Sequence, residues 1–419
     1  MGSLKTRNIL LSAFACSPTL GSEDGVGWHW AIELANLGNN VTVLTRTRFK
    51  DEIELYIEAN PLPNISFYYL DFLPKVHYNG SPSLISYLYI HIWQALAVAK
   101  VKQIVSQTPI ELIHHITFAG IRLPSFLGCL GIPFIFGPVG GGEETPPTLL
   151  RSFPFKARMK ERLRWLSNRL VRFDPMMRYT FASSTIIGLT TKDSVSVIPP
   201  KYHDKIIVSS TIGVDEVPIS EPKFRNTSGE VVLLFAGRFL HWKGMHLGIR
   251  AFSKVRKRFP NARLTMVGDG PACQHWKKIA EIHEIADGVT WFNWVTKAEL
   301  VKLYSEAGVF LFPSLHDSGG MVVLEAASYG LPILCLDIGG PGEMVGPEVG
   351  LKIPVRDLSE EIIIDKMAAA MEDLISDPEY LAHLSRSATE WSKKQGWSRR
   401  VSDFYTECDK IIDRHISSS

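Results

Sequence analysis

Two short segments hold the side chains best suited to handling a phosphorylated substrate. In Gly237-Arg238-Phe239-Leu240-His241-Trp242-Lys243-Gly244, two cations stand five residues apart directly after the apolar run Val231 to Ala236. Either cation alone reads as a solvated surface group. Together they stand where a parallel sheet binds its ligands. In Phe312-Pro313-Ser314-Leu315-His316-Asp317-Ser318-Gly319-Gly320-Met321-Val322-Val323-Leu324-Glu325, two carboxylates stand eight residues apart around a glycine-containing loop. The Gly319-Gly320 backbone and the helix start after it can hold phosphate, Asp317 can face a sugar, and Glu325, about two turns into the helix, can meet a ribose. An isolated Asp-x7-Glu pair would be no more than a helix cap and a surface acid.

A third candidate is the glycine-rich turn Ser17 to Gly27, which contains Gly21, Gly25 and Gly27. Its backbone can approach a ligand closely and its helix start offers N–H groups to anions. As a dinucleotide fingerprint it fails, because the third glycine position is Trp30 and the second strand ends in Thr45-Arg46 rather than an acid. Contact with a substrate and a tight turn that needs glycines are the two readings left.

The elements that must position these residues alternate. Strand-like Ile9 to Phe14, a helix over about Gly25 to Leu37, Val41 to Thr45, Leu112 to His115 and Phe134 to Gly137 make βαβ units and a parallel sheet. The grammar restarts at Val231 to Ala236 and continues through Leu247 to Phe259, Arg263 to Val267, Val309 to Phe312 and Ile333 to Leu336. Between the two runs lies Val217 to Gly229, polar and aperiodic, which places a boundary near residue 222. The expected domains are 1–222, on the acceptor side, and 223–390, on the donor side. The helical tail 391–419 carries Trp397, Val401 and Phe404, apolar residues that need a surface, and is expected to cross back to the first domain.

Composition narrows the class without naming a partner. The chain has 419 residues, 45% of them apolar, and 45 basic against 43 acidic groups, so no nucleic-acid partner is indicated. Five scattered cysteines with no CxxC pair fit neither a disulfide framework nor a zinc site. The stretch Leu84 to Ala99 is broken by Ser86, His91 and Gln94 and reads as a buried helix rather than a membrane span. No cleavable leader is evident, so the expected location is the cytoplasm. Residues 151–178 carry nine basic and two acidic side chains interleaved with Leu163, Trp165, Leu166, Leu170 and Phe173. Such a helix either rests on an anionic membrane as a peripheral anchor or is a solvated cover over the core.

Taken together, these motifs resemble the retaining glycosyltransferases of family four, along almost the whole chain. The resemblance implies an α/β architecture of the GT-B type, two Rossmann-like domains facing each other across a cleft. The family's Gly-Arg…Lys-Gly segment, which holds the donor diphosphate, matches Gly237-Arg238 and Lys243-Gly244. Its Glu-x7-Glu motif matches Asp317 to Glu325, followed by Ala326-Ala327-Ser328-Tyr329-Gly330-Leu331-Pro332. The nucleobase-contacting segment resembles Phe292-Asn293-Trp294-Val295, and Gly339-Gly340-Pro341-Gly342-Glu343 is similar to a later ligand loop. In the first domain, Leu112-Ile113-His114-His115 is similar to the family's histidine region, where a structural histidine is the competing reading. Gly137-Pro138-Val139-Gly140-Gly141-Gly142-Glu143 falls where an acceptor-side loop belongs.

The resemblance therefore implies catalytic roles for His115, Arg238, Lys243 and Asp317. It implies donor contacts from Gly21, Gly237, Trp294, Ser318, Gly319, Gly320, Met321, Val322 and Glu325, and acceptor-side contacts from His114, Gly140 and Gly141. Asp317 departs from the family's usual glutamate and is shorter by one carbon, which bears on the choice of donor sugar. No Asp-x-Asp triplet occurs, so protein cations are expected to take the place of a bridging metal. The expected donor is a nucleotide-diphosphate sugar, a UDP-sugar favoured over a GDP-sugar, with no cofactor. The expected acceptor is a glycan or glycolipid. Another GT-B enzyme, an epimerase or phosphorylase, and a silent sugar-binding protein are the competing classes.

Overall fold

The computed structural model describes residues 5–72, 84–215 and 231–417. The expected connection Val217 to Gly229 and the boundary near residue 222 lie outside them. In chain order the strands of the first half are β1 (Asn8–Ala13), β2 (Asn40–Thr45), β3 (Ile65–Tyr69), β4 (Leu112–Thr117), β5 (Phe134–Val139), β6 (Ile186–Leu189) and β7 (Ile206–Val208). Those of the second are β8 (Val232–Ala236), β9 (Arg263–Val267), β10 (Val289–Phe292), β11 (Val309–Phe312), β12 (Ile333–Leu336) and β13 (Gly350–Ile353). The helices are α1 (Glu23–Asn36), α2 (Lys50–Ala59), α3 (Leu84–Val105), α4 (Phe155–Leu170), α5 (Pro175–Ser183), α6 (Met245–Arg258), α7 (Cys273–Ile282), α8 (Lys297–Glu306), α9 (Met321–Ser328), α10 (Gly339–Met344), α11 (Glu360–Ser376), α12 (Pro378–Lys393) and α13 (Trp397–Ser417).

The chain forms two compact units, neither of them one continuous stretch. The first comprises Met1–Gly142, Leu166–Ile212 and Trp397–Ser419, and the second Glu143–Trp165 and Gly213–Gly396. Helix α4 is thus shared, its residues up to Trp165 counted with the second unit and those from Leu166 with the first.

The sheet of the first unit runs β3-β2-β1-β4-β5-β6-β7, all parallel. Its strands are short apolar runs because both faces are covered by helices, as in β1, where all residues after Asn8 are buried. Trp93, Phe134, Phe136 and Phe181 fill its core. Helix α13 belongs here because its buried residues Trp397, Val401, Phe404, Tyr405, Cys408 and Ile412 recur at helical spacing. Trp30 of α1 meets Phe404 edge-on at 5.4 Å, His29 stacks on Trp397 at 4.3 Å, and Arg7 pairs with Asp409. Helix α3 corrects one expectation. Its Tyr89, Trp93 and Ala97 are buried, but Ile85, Tyr87, Leu88, Ile92 and Leu96 are exposed, so it is half-covered rather than buried.

The sheet of the second unit runs β10-β9-β8-β11-β12-β13, again all parallel. Phe235, Leu311, Phe312, Trp276 and Met367 lie in its core. In each unit the first strand has chain neighbours on both sides: β1 lies between β2 and β4, and β8 between β9 and β11. At such a switch point the loops leaving the two central strands diverge, and the crevice they open is where open α/β sheets take their ligands.

Candidate active site

In the second unit both candidate motifs fall on that crevice. Residues 237–244 leave β8 and residues 313–320 leave β11, and the two loops touch. A Cβ on Gly244, whose φ is +73°, would come within 1.9 Å of the Pro313 carbonyl oxygen. The Leu315 amide donates to the Trp242 carbonyl at 2.9 Å, and the rings of Trp242 and His316 stack at 4.4 Å.

The contact brings Lys243 to Asp317, with Nζ 2.5 Å from the carboxylate and both side chains mostly buried. The ammonium also lies 4.6 Å from the Trp242 ring centroid and 4.7 Å from that of Phe312. Lys243 therefore meets a ligand as one half of an ion pair, which the spacing alone did not indicate. Arg238 is exposed in the loop after β8. Gly237 and Ser318, Gly319, Gly320, Met321 and Val322 are partly exposed around the same loops. Gly320 precedes the first turn of α9 with φ +93°, and the Gly340 amide donates to the Asp317 carbonyl at 2.7 Å, tying the loop to α10.

Because α9 begins at Met321, Glu325 lies about one turn into it, not the two expected from the sequence. The Tyr304 hydroxyl donates to its carboxylate at 3.3 Å. Burial pushes the Glu325 carboxyl above its ordinary value, as suits a group that gains stability when further hydroxyl donors arrive. Trp294 stands in the loop after β10, 64% exposed, with Phe292 partly exposed beside it in the chain.

His316 was not among the expected site residues. Its Nε2 lies 3.2 Å from the carboxylate of Glu161 on α4, which also accepts from the Thr145 hydroxyl at 2.9 Å. Burial alone would raise the Glu161 carboxyl, but hydrogen bonds and charge from His316, together with Thr145, bring it below its ordinary value. Only the adjacency His316-Asp317 hinted at this link in the sequence, since Glu161 lies 155 positions away.

In the first unit, His114 and His115 are both buried in β4. His114 Nδ1 meets the Tyr405 hydroxyl at 2.9 Å and Nε2 the Gly137 carbonyl at 2.5 Å, so this ring ties three elements together. His115, on the other face, has both nitrogens buried without a hydrogen-bond partner. Burial first, and the neighbouring imidazole second, push it down to about 3, so it is neutral. Gly141, with φ +105°, gives its carbonyl to Arg122 at 2.8 Å, and Gly140 bridges to Gly120. Gly21 is exposed with open space around it, whereas a Cβ on Gly27 would meet the Ala15 oxygen at 2.2 Å. Packing alone therefore accounts for Gly27.

Residues 218–391 match the model of the family described as Glycosyl transferases group 1. A D-inositol 3-phosphate glycosyltransferase of Pseudarthrobacter chlorophenolicus is 30% identical over 227 residues, 51% of this chain and 52% of that protein. The chain spans about half the length of the curated relatives it matches. Among solved structures, the catalytic domain of starch synthase IV from Arabidopsis thaliana, bound to ADP and acarbose, superposes with a TM-score of 0.67 at 11% identity, covering 99% of this chain and 100% of its own. Anabaena HepE in complex with UDP gives 0.62 at 15% identity, covering 97% and 100%. Two Rossmann-like units and these likenesses define a chain with the GT-B fold. Within it, residues 218–391 are the part that matches the group 1 model, in line with the resemblance carried by the motifs.

Proposed function

We propose that this chain is a retaining glycosyltransferase that moves a sugar from a nucleotide-diphosphate sugar to a hydroxyl of a glycan or glycolipid, without a metal. The observation that carries the reading is the Lys243–Asp317 pair at the mouth of the second sheet, beside the Gly319-Gly320 turn. As the glycosidic bond to the diphosphate breaks, negative charge builds on the departing phosphate, and fixed cations there lower the barrier most. Lys243 can exchange Asp317 for a phosphate oxygen, and Arg238 adds a second charge. The carboxylate so released is then placed to accept hydrogen bonds from the sugar. In front-face attack the acceptor oxygen bonds to the anomeric carbon on the side the diphosphate leaves, and the acceptor proton passes to the leaving phosphate oxygen. Glu325 serves the ribose. The UDP bound by HepE favours a UDP-sugar.

A peripheral place on the cytoplasmic face of a membrane is the second part of the reading. Phe155, Met159, Leu163, Leu166 and Leu170 recur at helical spacing along α4 and all face solvent, Phe155 at 73%. Lys156, Lys160 and Arg162 are exposed among them. An apolar stripe turned outward and edged with cations suits an anionic lipid surface.

The test is a panel of nucleotide sugars with and without glycan and glycolipid acceptors. Free nucleotide diphosphate should appear only when acceptor is present, and should still appear in excess EDTA. Acceptor-independent turnover would point instead to an epimerase or phosphorylase, and donor binding without turnover to a silent sugar-binding protein.

A further inference from the structure

The second unit holds a cavity of about 350 Å³ that no step above uses. Its lining includes Arg151, Arg158, Arg162 and Arg164, the last of them paired with Glu143, and the acids Glu144 and Glu161. Glu161 is already committed to His316 and Thr145. Arg158 is anchored by donating to the carbonyls of Arg151 at 2.8 Å and Phe153 at 3.1 Å, which leaves its buried Nε with no hydrogen-bond partner. Among the described residues the Arg162 side chain has no partner either. Arg158 and Arg162, two guanidinium groups with donors unspent on the lining of one partly enclosed space, suit phosphate oxygens.

We propose that this cavity binds a phosphate-bearing group of the acceptor, gripped by Arg158 and Arg162 and linked to the donor loop through Glu161 and His316. The proposal rests on the glycosyltransferase reading and deepens it by naming the chemistry of the acceptor: a phosphomonoester in solution, or the phosphate of a lipid. One hydrogen-bonded contact, from Glu161 on the cavity wall to His316, reaches the chain neighbour of Asp317. A filled cavity would therefore hold Glu161, and with it the stacked His316–Trp242 pair, in the arrangement that sets the Lys243–Asp317 contact.

The experiment is calorimetric titration of the full chain with inorganic pyrophosphate. Arg158→Gln combined with Arg162→Gln should weaken one binding component at least tenfold, while Arg162→Lys keeps it. Lys243→Ala should leave that component in place, because any binding it removes belongs to the donor loop. Two further arms separate the sources: glycerol phosphate in solution, and vesicles of phosphatidylcholine with or without phosphatidylglycerol. Arginine-dependent binding in either arm supports the site and tells which source supplies the phosphate. Pyrophosphate affinity equal in the wild type and the double variant, with circular dichroism unchanged, overturns it. None of these titrations needs turnover, so failure of the panel of nucleotide sugars would be seen separately.

Discussion

At the scale of single residues, the Lys243–Asp317 pair changes what each substitution should do. Arg238→Ala and Lys243→Ala should each depress transfer on the order of a hundredfold or more, since a charge-assisted contact to developing phosphate charge is worth several kcal/mol. Far-UV circular dichroism should be unchanged, because Arg238 is exposed and Lys243 lies in a loop; Lys243→Ala should lower Tm somewhat, since it leaves the mostly buried Asp317 without its partner. The carboxylates should separate in the same assay. Glu325→Gln should weaken binding of free nucleotide diphosphate. Asp317→Asn should leave that binding intact or stronger, because it removes the acid that neutralises Lys243, yet should impair transfer. The reverse order of affinities would exchange the roles of the two acids. The segments that carry Arg238, Lys243, Asp317 and Glu325 are legible in the sequence as candidates because each pair sits within one short loop or its adjoining helix. His316 and Glu161 were not, since residues 155 positions apart meet only after the second unit has folded. Nor could the sequence divide His114 from His115. Adjacent strand residues face opposite ways, and the hydroxyl that claims His114 comes from Tyr405.

At the scale of elements, the informative case is α4. Its basic residues were plain in the sequence, but whether its apolar residues face the core or the solvent depends on helix phase relative to a neighbour, which composition does not carry. The structure turns Phe155, Leu163, Leu166 and Leu170 outward. Co-sedimentation at low salt should therefore show binding to anionic vesicles and little to neutral ones. Leu163→Glu with Leu166→Glu should abolish it without lowering Tm, because exposed side chains contribute little to folding. Equal partitioning to both lipids, or none to either, would sink the membrane role. The alternating βαβ grammar was read correctly because fully covered parallel strands are short apolar runs. Helix α9 starts beside Gly320, as the glycine pair suggests, but Glu325 stands about one turn into it rather than two.

For the molecule as a whole, burial of neutral imidazoles sets an acid limit on stability. Burial, the largest influence on each, holds His114 and His241 near 4, and His115 and His246 near 3, below the usual 6.5. In the unfolded chain these rings take up protons near 6.5, so the unfolded state binds more protons below that pH. The stability they supply is present above about pH 6.5 and is lost as the pH falls towards 4. Glu325, raised by burial, acts in the opposite sense at the lower end of this window. Tm should fall steadily from about pH 7 to about pH 4.5, and a flat or rising Tm over that range would contradict the burial seen here.

The interleaving of the two units has a consequence for how the chain is made. The backbone passes from one unit to the other four times, and the last passage, at residues 396–397, delivers α13 to the unit that began with β1. On a ribosome the first sheet is complete long before the helix that covers Trp30 and His29 has been translated. The second unit, from Glu143 to Gly396, is available in full while the first is still waiting. The unit that starts first therefore finishes last. A chain released early would display an uncovered aromatic face on its amino-terminal half, the kind of surface that chaperones and proteases recognise.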